Sequence, residues 1–149
     1  MIVLKRLISG GQTGADQGGL EAGKQLGLET GGWVPKGCMT EAGPNKDLVT
    51  TYGCTESHAS DYQTRTRQNV DAAGGTVWFG YTYTPGYWCT HNRAKHRTPW
   101  IENPTKENFL RWLSDNGIEI LNVAGNRESK NRGLRAKVKD FLVDALRQV

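Results

Sequence analysis

The chain has 149 residues, a formal net charge of +4 and a hydrophobic content of 36%, with five Trp and five Tyr. That composition excludes a disordered chain and supplies core for one domain, expected to span residues 1–149. No apolar run approaches the ~20 residues of a membrane span, and the basic residues are spread along the chain without the stripe that nucleic acid needs.

In chain order, Ile2 to Ile8 reads as a buried first strand. Its charges lie inside the apolar run and no small-residue cleavage site follows, so it does not read as a signal peptide, and a cytoplasmic location is expected. Ala15 to Leu26 reads as a helix with a small inner face (Ala15, Gly19, Ala22, Gly23), closed by Gly27. Thr30 to Val34 reads as a short strand ending at Pro35. Lys36 to His58 is irregular and is expected to cover a site. Ser60 to Ala73 runs helically until Gly74-Gly75, and Thr76 to Tyr81 is strand-like. Pro85 to Arg97 is a helix candidate, and Pro99-Trp100-Ile101 a short strand. Asn103-Pro104 opens a helix that buries Phe109, Leu110 and Leu113 and ends at Asn116-Gly117. Ile118 to Val123 is a strand, and Leu134, Val138, Phe141, Leu142 and Ala145 form a final helical stripe. Strands alternating with helices predict an α/β fold: a Rossmann-like parallel sheet with helices on both faces. Ligands in such folds bind at the carboxyl ends of the strands.

Three strand-to-helix loops carry the chemistry. The first, Ser9-Gly10-Gly11-Gln12-Thr13-Gly14-Ala15-Asp16-Gln17-Gly18-Gly19, holds five glycines in eleven residues. A backbone nest at a helix N-terminus attracts phosphate, so Gly10, Gly11, Gln12, Thr13 and Gly14 are candidates to line one. Asp16 either caps the helix or holds a ribose hydroxyl. The spacing is neither GxGxxG nor a P-loop, and a tight turn without a ligand is the bland alternative. If the loop binds, Gly11→Val is expected to block the ligand and leave the fold intact.

The second loop runs from Thr84 to Thr90, with Pro85, Gly86 and Thr90 framing a second anion contact. The third, Ala124 to Lys130, brings Gly125, Arg127 and Ser129 to the same edge. Arg65 and Asn69 share one helix face and reach toward the site, unless they form a solvated surface pair. Trp33, Lys36, Tyr83 and Trp88 complete the candidate set; the aromatics around the first and second loops (Trp33, Tyr81, Tyr83, Tyr87 and Trp88) either stack a base or pterin or belong to a core or subunit surface. Cys38, Cys54 and Cys89 are too few for a disulfide framework, and no ligand spacing predicts a metal site. No catalytic residue is assigned.

Taken together, SGGQTGAD, Gly31-Gly32-Trp33-Val34-Pro35-Lys36-Gly37, Tyr62-x-x-Arg65-Thr66-x-x-Asn69-Val70, Gly75-Thr76, Thr84-Pro85-Gly86 and Asn122-Val123-Ala124-Gly125-x-Arg127-x-Ser129 resemble the molybdenum-carrier family. This is the circularly permuted YpsA-type branch of the SLOG superfamily. The resemblance spans nearly the whole chain. It implies a SLOG-type Rossmann-like fold, usually oligomeric, and relatives that bind nucleotides, nucleotide-derived signals or molybdenum cofactor. The chain departs from the superfamily's phosphoribohydrolases, whose PGGxGT-x-x-E motif is replaced by Gly86-Tyr87-Trp88-Cys89-Thr90 without the second glycine or the glutamate. The leading expectation is a non-catalytic protein that holds or sequesters a phosphate-bearing, nucleotide-like small molecule: a signalling nucleotide or an ADP-ribose derivative, as a phage anti-defence sponge would. The alternatives are a molybdenum-cofactor carrier and a phosphoribohydrolase-like nucleotide hydrolase. A homodimer or larger homo-oligomer is expected, with no membrane partner and no nucleic-acid role.

Overall fold

A computed structural model describes residues 1–147. β1 (Arg6–Ser9) leads through the glycine loop into α1 (Ala15–Gln25). β2 (Glu29–Gly31) and β3 (Trp33–Val34) follow, then β4 (Met39–Thr40), β5 (Gly43–Pro44), the one-turn α2 (Asp47–Thr50) and β6 (Thr55–Glu56). After α3 (Tyr62–Ala72) come β7 (Gly75–Phe79), α4 (Pro85–Ala94), β8 (Trp100–Glu102), α5 (Lys106–Asp115), β9 (Ile120–Gly125), a 3-10 turn at Glu128–Lys130 and α6 (Leu134–Leu146).

Five strands form one sheet in the order β2-β1-β9-β7-β8, and every pairing in it is parallel. From β1 the chain moves outward to β2, and from β7 outward to β8, while β9 returns last between them. The crossover therefore opens at the carboxyl ends of β1, β9 and β7, where such folds place a ligand. α1 and α6 pack together with α5 against α6, and α3 packs with α4 elsewhere against β9. Leu7, Val77, Leu121 and Val123 from the strands meet Phe109, Leu113, Val138 and Leu142 from the helices in the main core. The small inner face of α1 permits this approach: a β-carbon at Gly19 would stand 2.9 Å from Val123 Cβ.

Helix starts follow their caps. Thr84 and Thr105 accept hydrogen bonds from the backbone N–H of Tyr87 and Asn108 (both 3.2 Å), and Asp61 from that of Thr64 (2.9 Å). α3 and α5 thus begin later than the expected Ser60 and Asn103. Asn103 instead joins two strand ends: its Oδ1 accepts from Gly80 N (2.8 Å) and its Nδ2 donates to Gly80 O (2.9 Å).

The irregular stretch after β3 does not cover the site. It folds around a satellite core of Cys38, Leu48 and Cys54 against Leu20 and Val34. Gly11 packs against this core with φ +74°, and a β-carbon there would stand 2.7 Å from Val34 Cγ1 and 2.8 Å from Leu48 Cδ1. The expectation that Gly11→Val spares the fold is therefore corrected. Gly11→Val is expected to cost at least ~2 kcal/mol in urea denaturation, combining overpacking with left-handed strain; a variant as stable as the wild type would contradict this packing.

Candidate functional site

A cavity of about 600 Å³ opens at the carboxyl ends of β1, β9 and β7. Of the residues singled out by sequence, Gly10, Gln12, Asp16, Arg65, Asn69, Pro85, Gly86, Thr90, Gly125 and Arg127 line it. Gly11, Thr13, Gly14, Trp33, Lys36, Tyr83, Trp88 and Ser129 do not line it. Tyr62, Trp78, Asn122, Asn126 and Lys130, outside the candidate set, also line the cavity, as does Tyr81, one of the aromatics expected near the first and second loops. Two of these had a usable signal, because Tyr62 precedes Arg65, and Lys130 follows Arg127, by three residues, about one helical turn.

Arg65 is buried and is held by hydrogen bonds at Nε and Nη1. Its Nε donates to Gly10 O (3.1 Å) and its Nη1 to Tyr62 O (3.0 Å) and to Thr66 Oγ1. The guanidinium carbon stands 5.3 Å from the centroid of the Tyr62 ring. Nη2 lies 3.8 Å from Asp16 Oδ2. Asp16 is buried in the first turn of α1, and its Oδ2 accepts from Gln12 N (3.1 Å), reaching back to the glycine loop. Burial pushes the Asp16 carboxyl up to about 6, against the pull of Arg65 and of the Gln12 N–H.

Asn69 is committed to the backbone of Trp33, accepting from its N (2.7 Å) and donating to its O (2.9 Å). Thr90 donates to Gly86 O (2.9 Å) within α4. Asn126 accepts from Tyr81 N (2.5 Å) through Oδ1, while its backbone N–H donates to Phe79 O (3.3 Å) and its O accepts from Ala15 N (3.2 Å). One residue therefore fastens the ends of β9 and β7 to the start of α1.

The loops divide between ligand-facing and chain-facing groups. A β-carbon on Gly14 would fall 2.7 Å from Glu128 N, so the first loop is cleared for the third loop. Thr13 and Ser129 turn toward Glu41, and Lys36 is exposed beyond the cavity. Tyr83 and Trp88 pack on each other with ring centroids 5.6 Å apart, while Trp78, Tyr62 and Tyr81 supply the aromatic lining. Of the three cysteines, Cys89 lines the cavity; Cys38 and Cys54 are buried free thiols. Among the described residues, no group of three or more His, Cys, Asp or Glu is placed to hold a metal ion, and no helix is long and apolar enough to cross a membrane.

A five-stranded parallel sheet with its cavity at the crossover defines a Rossmann-like α/β protein. The family model described as "Circularly permutated YpsA SLOG family" matches residues 7–146, and the chain belongs to that family. It is similar to the crystal structure of a "Putative molybdenum carrier protein" from Syntrophus aciditrophicus SB, with 30% identity, a TM-score of 0.88, and 97% of this chain and 96% of that one covered. An (E)-4-hydroxy-3-methyl-but-2-enyl diphosphate reductase aligns at 12% identity and a TM-score of 0.40, over 95% of this chain and 59% of that one. No curated protein matches the chain.

Because the folded Asp16 carboxyl is raised from 3.8 to about 6, its stabilising contribution is present below pH 3.8 and is lost as pH rises through about 6. Relative to Asp16→Asn, wild-type stability in urea is expected to fall by about 3 kcal/mol over that window, two units at ~1.4 kcal/mol each. A stability difference between the two proteins that stays constant with pH would show that the carboxyl titrates normally.

Proposed function

We propose that the chain is a binding protein, without turnover, for a phosphate-bearing, nucleotide-like small molecule that it holds or sequesters. The observation that carries this reading is the make-up of the cavity: one buried guanidinium, two further cations (Arg127 and Lys130) and three aromatic side chains at the crossover of a parallel sheet. Its volume is in the range of small-molecule and cofactor sites. Asp16 repels an anion from the glycine loop, so the phosphate lies toward Arg127, Lys130 and the N-terminus of α4, and the ring system toward Tyr62, Trp78 and Tyr81.

Mass spectrometry of the small molecules released by denaturing the purified protein tests this reading. The expected species is a nucleotide or an ADP-ribose derivative, recovered intact. With the released compound as titrant, Arg127→Ala is expected to weaken binding by about 1.5 kcal/mol, the lower end for a hydrogen bond to a charged group, since this side chain is partly exposed. Unchanged affinity at low salt would place Arg127 outside the site. Recovery of a free base with a ribose phosphate would replace the binding reading with hydrolysis.

The likeness to the Syntrophus protein, named a molybdenum carrier, supports a second reading, a molybdenum-cofactor carrier. A pterin and stoichiometric molybdenum in the released fraction would establish it.

Self-association belongs to the same proposal. Trp78 is buried and Trp100 and Trp112 are partly so, but Tyr81, Tyr83 and Trp88 remain 62%, 71% and 42% exposed beside the cavity mouth. An aromatic patch of this kind marks a contact surface. Light scattering after size exclusion is expected to give at least a dimer, reduced by a Tyr83→Ser, Trp88→Ser double variant; a monomeric wild type would refute this.

A further inference from the structure

The hydroxyls of Thr13 and Ser129 are groups that an external oxyanion would use, and they are already hydrogen-bonded from within the chain, with Arg127 alongside at ion-pair distance. Glu41 stands in the two-residue turn between β4 and β5, where Thr40 pairs with Gly43. Its Oε2 accepts hydrogen bonds from Thr13 Oγ1 and from Ser129 N (3.1 Å), and its Oε1 accepts from Ser129 Oγ (2.5 Å). Arg127 Nε stands 3.8 Å from Oε1. The backbone N–H of Glu41 donates to Gln12 Oε1 (2.9 Å), which also accepts from Thr13 N (3.0 Å). Thr13 Oγ1 in turn accepts from Glu128 N (3.1 Å).

A solvated surface ion pair has one partner and loose geometry. Here one carboxylate gathers three hydrogen bonds from two loops, with a guanidinium beside it. The partners lie 28 and 88 residues away in sequence, so the arrangement comes from the tertiary fold alone. Partial burial works against ionisation, but the hydrogen bonds from Ser129 and Thr13 and the charge of Arg127 prevail, and the carboxyl lies below its ordinary range.

We propose that Glu41 is the resident anion of an oxyanion site built by Thr13, Ser129 and Arg127. In that site it positions the Arg127–Lys130 segment, which carries two of the cavity's cations. Glu41 itself does not line the cavity, so it is a positioning residue that acts through Arg127 and Lys130. The significance of that position for binding rests on the reading of the cavity given above; the internal anion does not.

Amide hydrogen exchange on the full chain tests this, with circular dichroism and thermal melting to verify folding. In Glu41→Ala, the amide of Ser129 is expected to exchange about tenfold faster, the size of one lost hydrogen bond to a charged group, and that of Glu128 less so, because its acceptor Thr13 Oγ1 remains. Added acetate or inorganic phosphate is expected to restore the protection of Ser129 saturably, while wild-type exchange does not respond. Adding Ser129→Ala to the Glu41→Ala protein is expected to remove the rescue. Unchanged exchange in Glu41→Ala, or faster exchange that neither anion reverses, would overturn the proposal. Should Glu41→Ala fail to fold, Glu41→Gln keeps the backbone bond to Gln12 and one acceptor oxygen, and intermediate exchange is expected. Wild-type exchange in that variant would overturn the role of the charge. Because the probes are acetate and phosphate, failure here leaves the cavity reading intact, and absence of a nucleotide from the purified protein leaves this one intact.

Discussion

The Arg65 guanidinium lies against the backbone at Gly10, and the site is arranged around that contact. A β-carbon at Gly10 would stand 2.5 Å from Nε and 2.7 Å from Cζ, so the position must be glycine for the arginine to pass. A buried cation is tolerated only where its donors are satisfied. Arg65 meets that condition at Nε and Nη1, through two backbone carbonyls and one hydroxyl, while Nη2 has the Asp16 carboxylate as a counter-charge at 3.8 Å without a hydrogen bond. The contact pins α3 to the end of β1, which in turn fixes Tyr62 and Asn69 on the same helix. Asp16 gains a counter-charge from the pairing, but burial still outweighs it.

Glycine enrichment after β1 therefore has an internal cause. Gly10 makes room for Arg65, Gly11 for Val34 and Leu48, and Gly14 for the backbone of the third loop. The same reasoning extends to Asn126, whose side chain and backbone join the ends of β7 and β9 to α1. Close approach of the loop to side chains and backbone elsewhere in the chain accounts for these three glycines. What remains for a ligand is the space these contacts frame.

The alternation of strands and helices was legible because burial imposes its periodicity locally: Phe109 and Leu113, or Leu134, Val138 and Leu142, recur at helical spacing on one face. The satellite core was not legible, since Cys38, Leu48 and Cys54 follow no period and meet only through tertiary packing. In the site, Arg65 was readable as a charged helix-face residue, but its neighbour Asn69 proved to serve the backbone of Trp33. Thr13 and Ser129 looked like anion ligands by residue type. In the structure their hydroxyls donate to Glu41 instead of facing the cavity, and no local pattern could reveal a partner so distant in sequence.

The rigidity of the cavity follows from how its walls are satisfied. Trp78 donates from Nε1 to Tyr81 O (3.2 Å) and meets Tyr87 edge-on at 5.3 Å between centroids. Tyr87 donates to Glu102 Oε1 (2.8 Å), and burial together with that carboxylate pushes its hydroxyl up to about 12, so it stays a neutral donor. Asn69, Asn126 and Thr90 likewise spend hydrogen-bonding capacity on the protein itself. Hydrogen bonds made within the protein thus fix these side chains ahead of any contact across the cavity. The charges that face it are divided in the same way: the Asp16 acid stands at the glycine loop, paired with Arg65, and the cations Arg127 and Lys130 stand on the third loop.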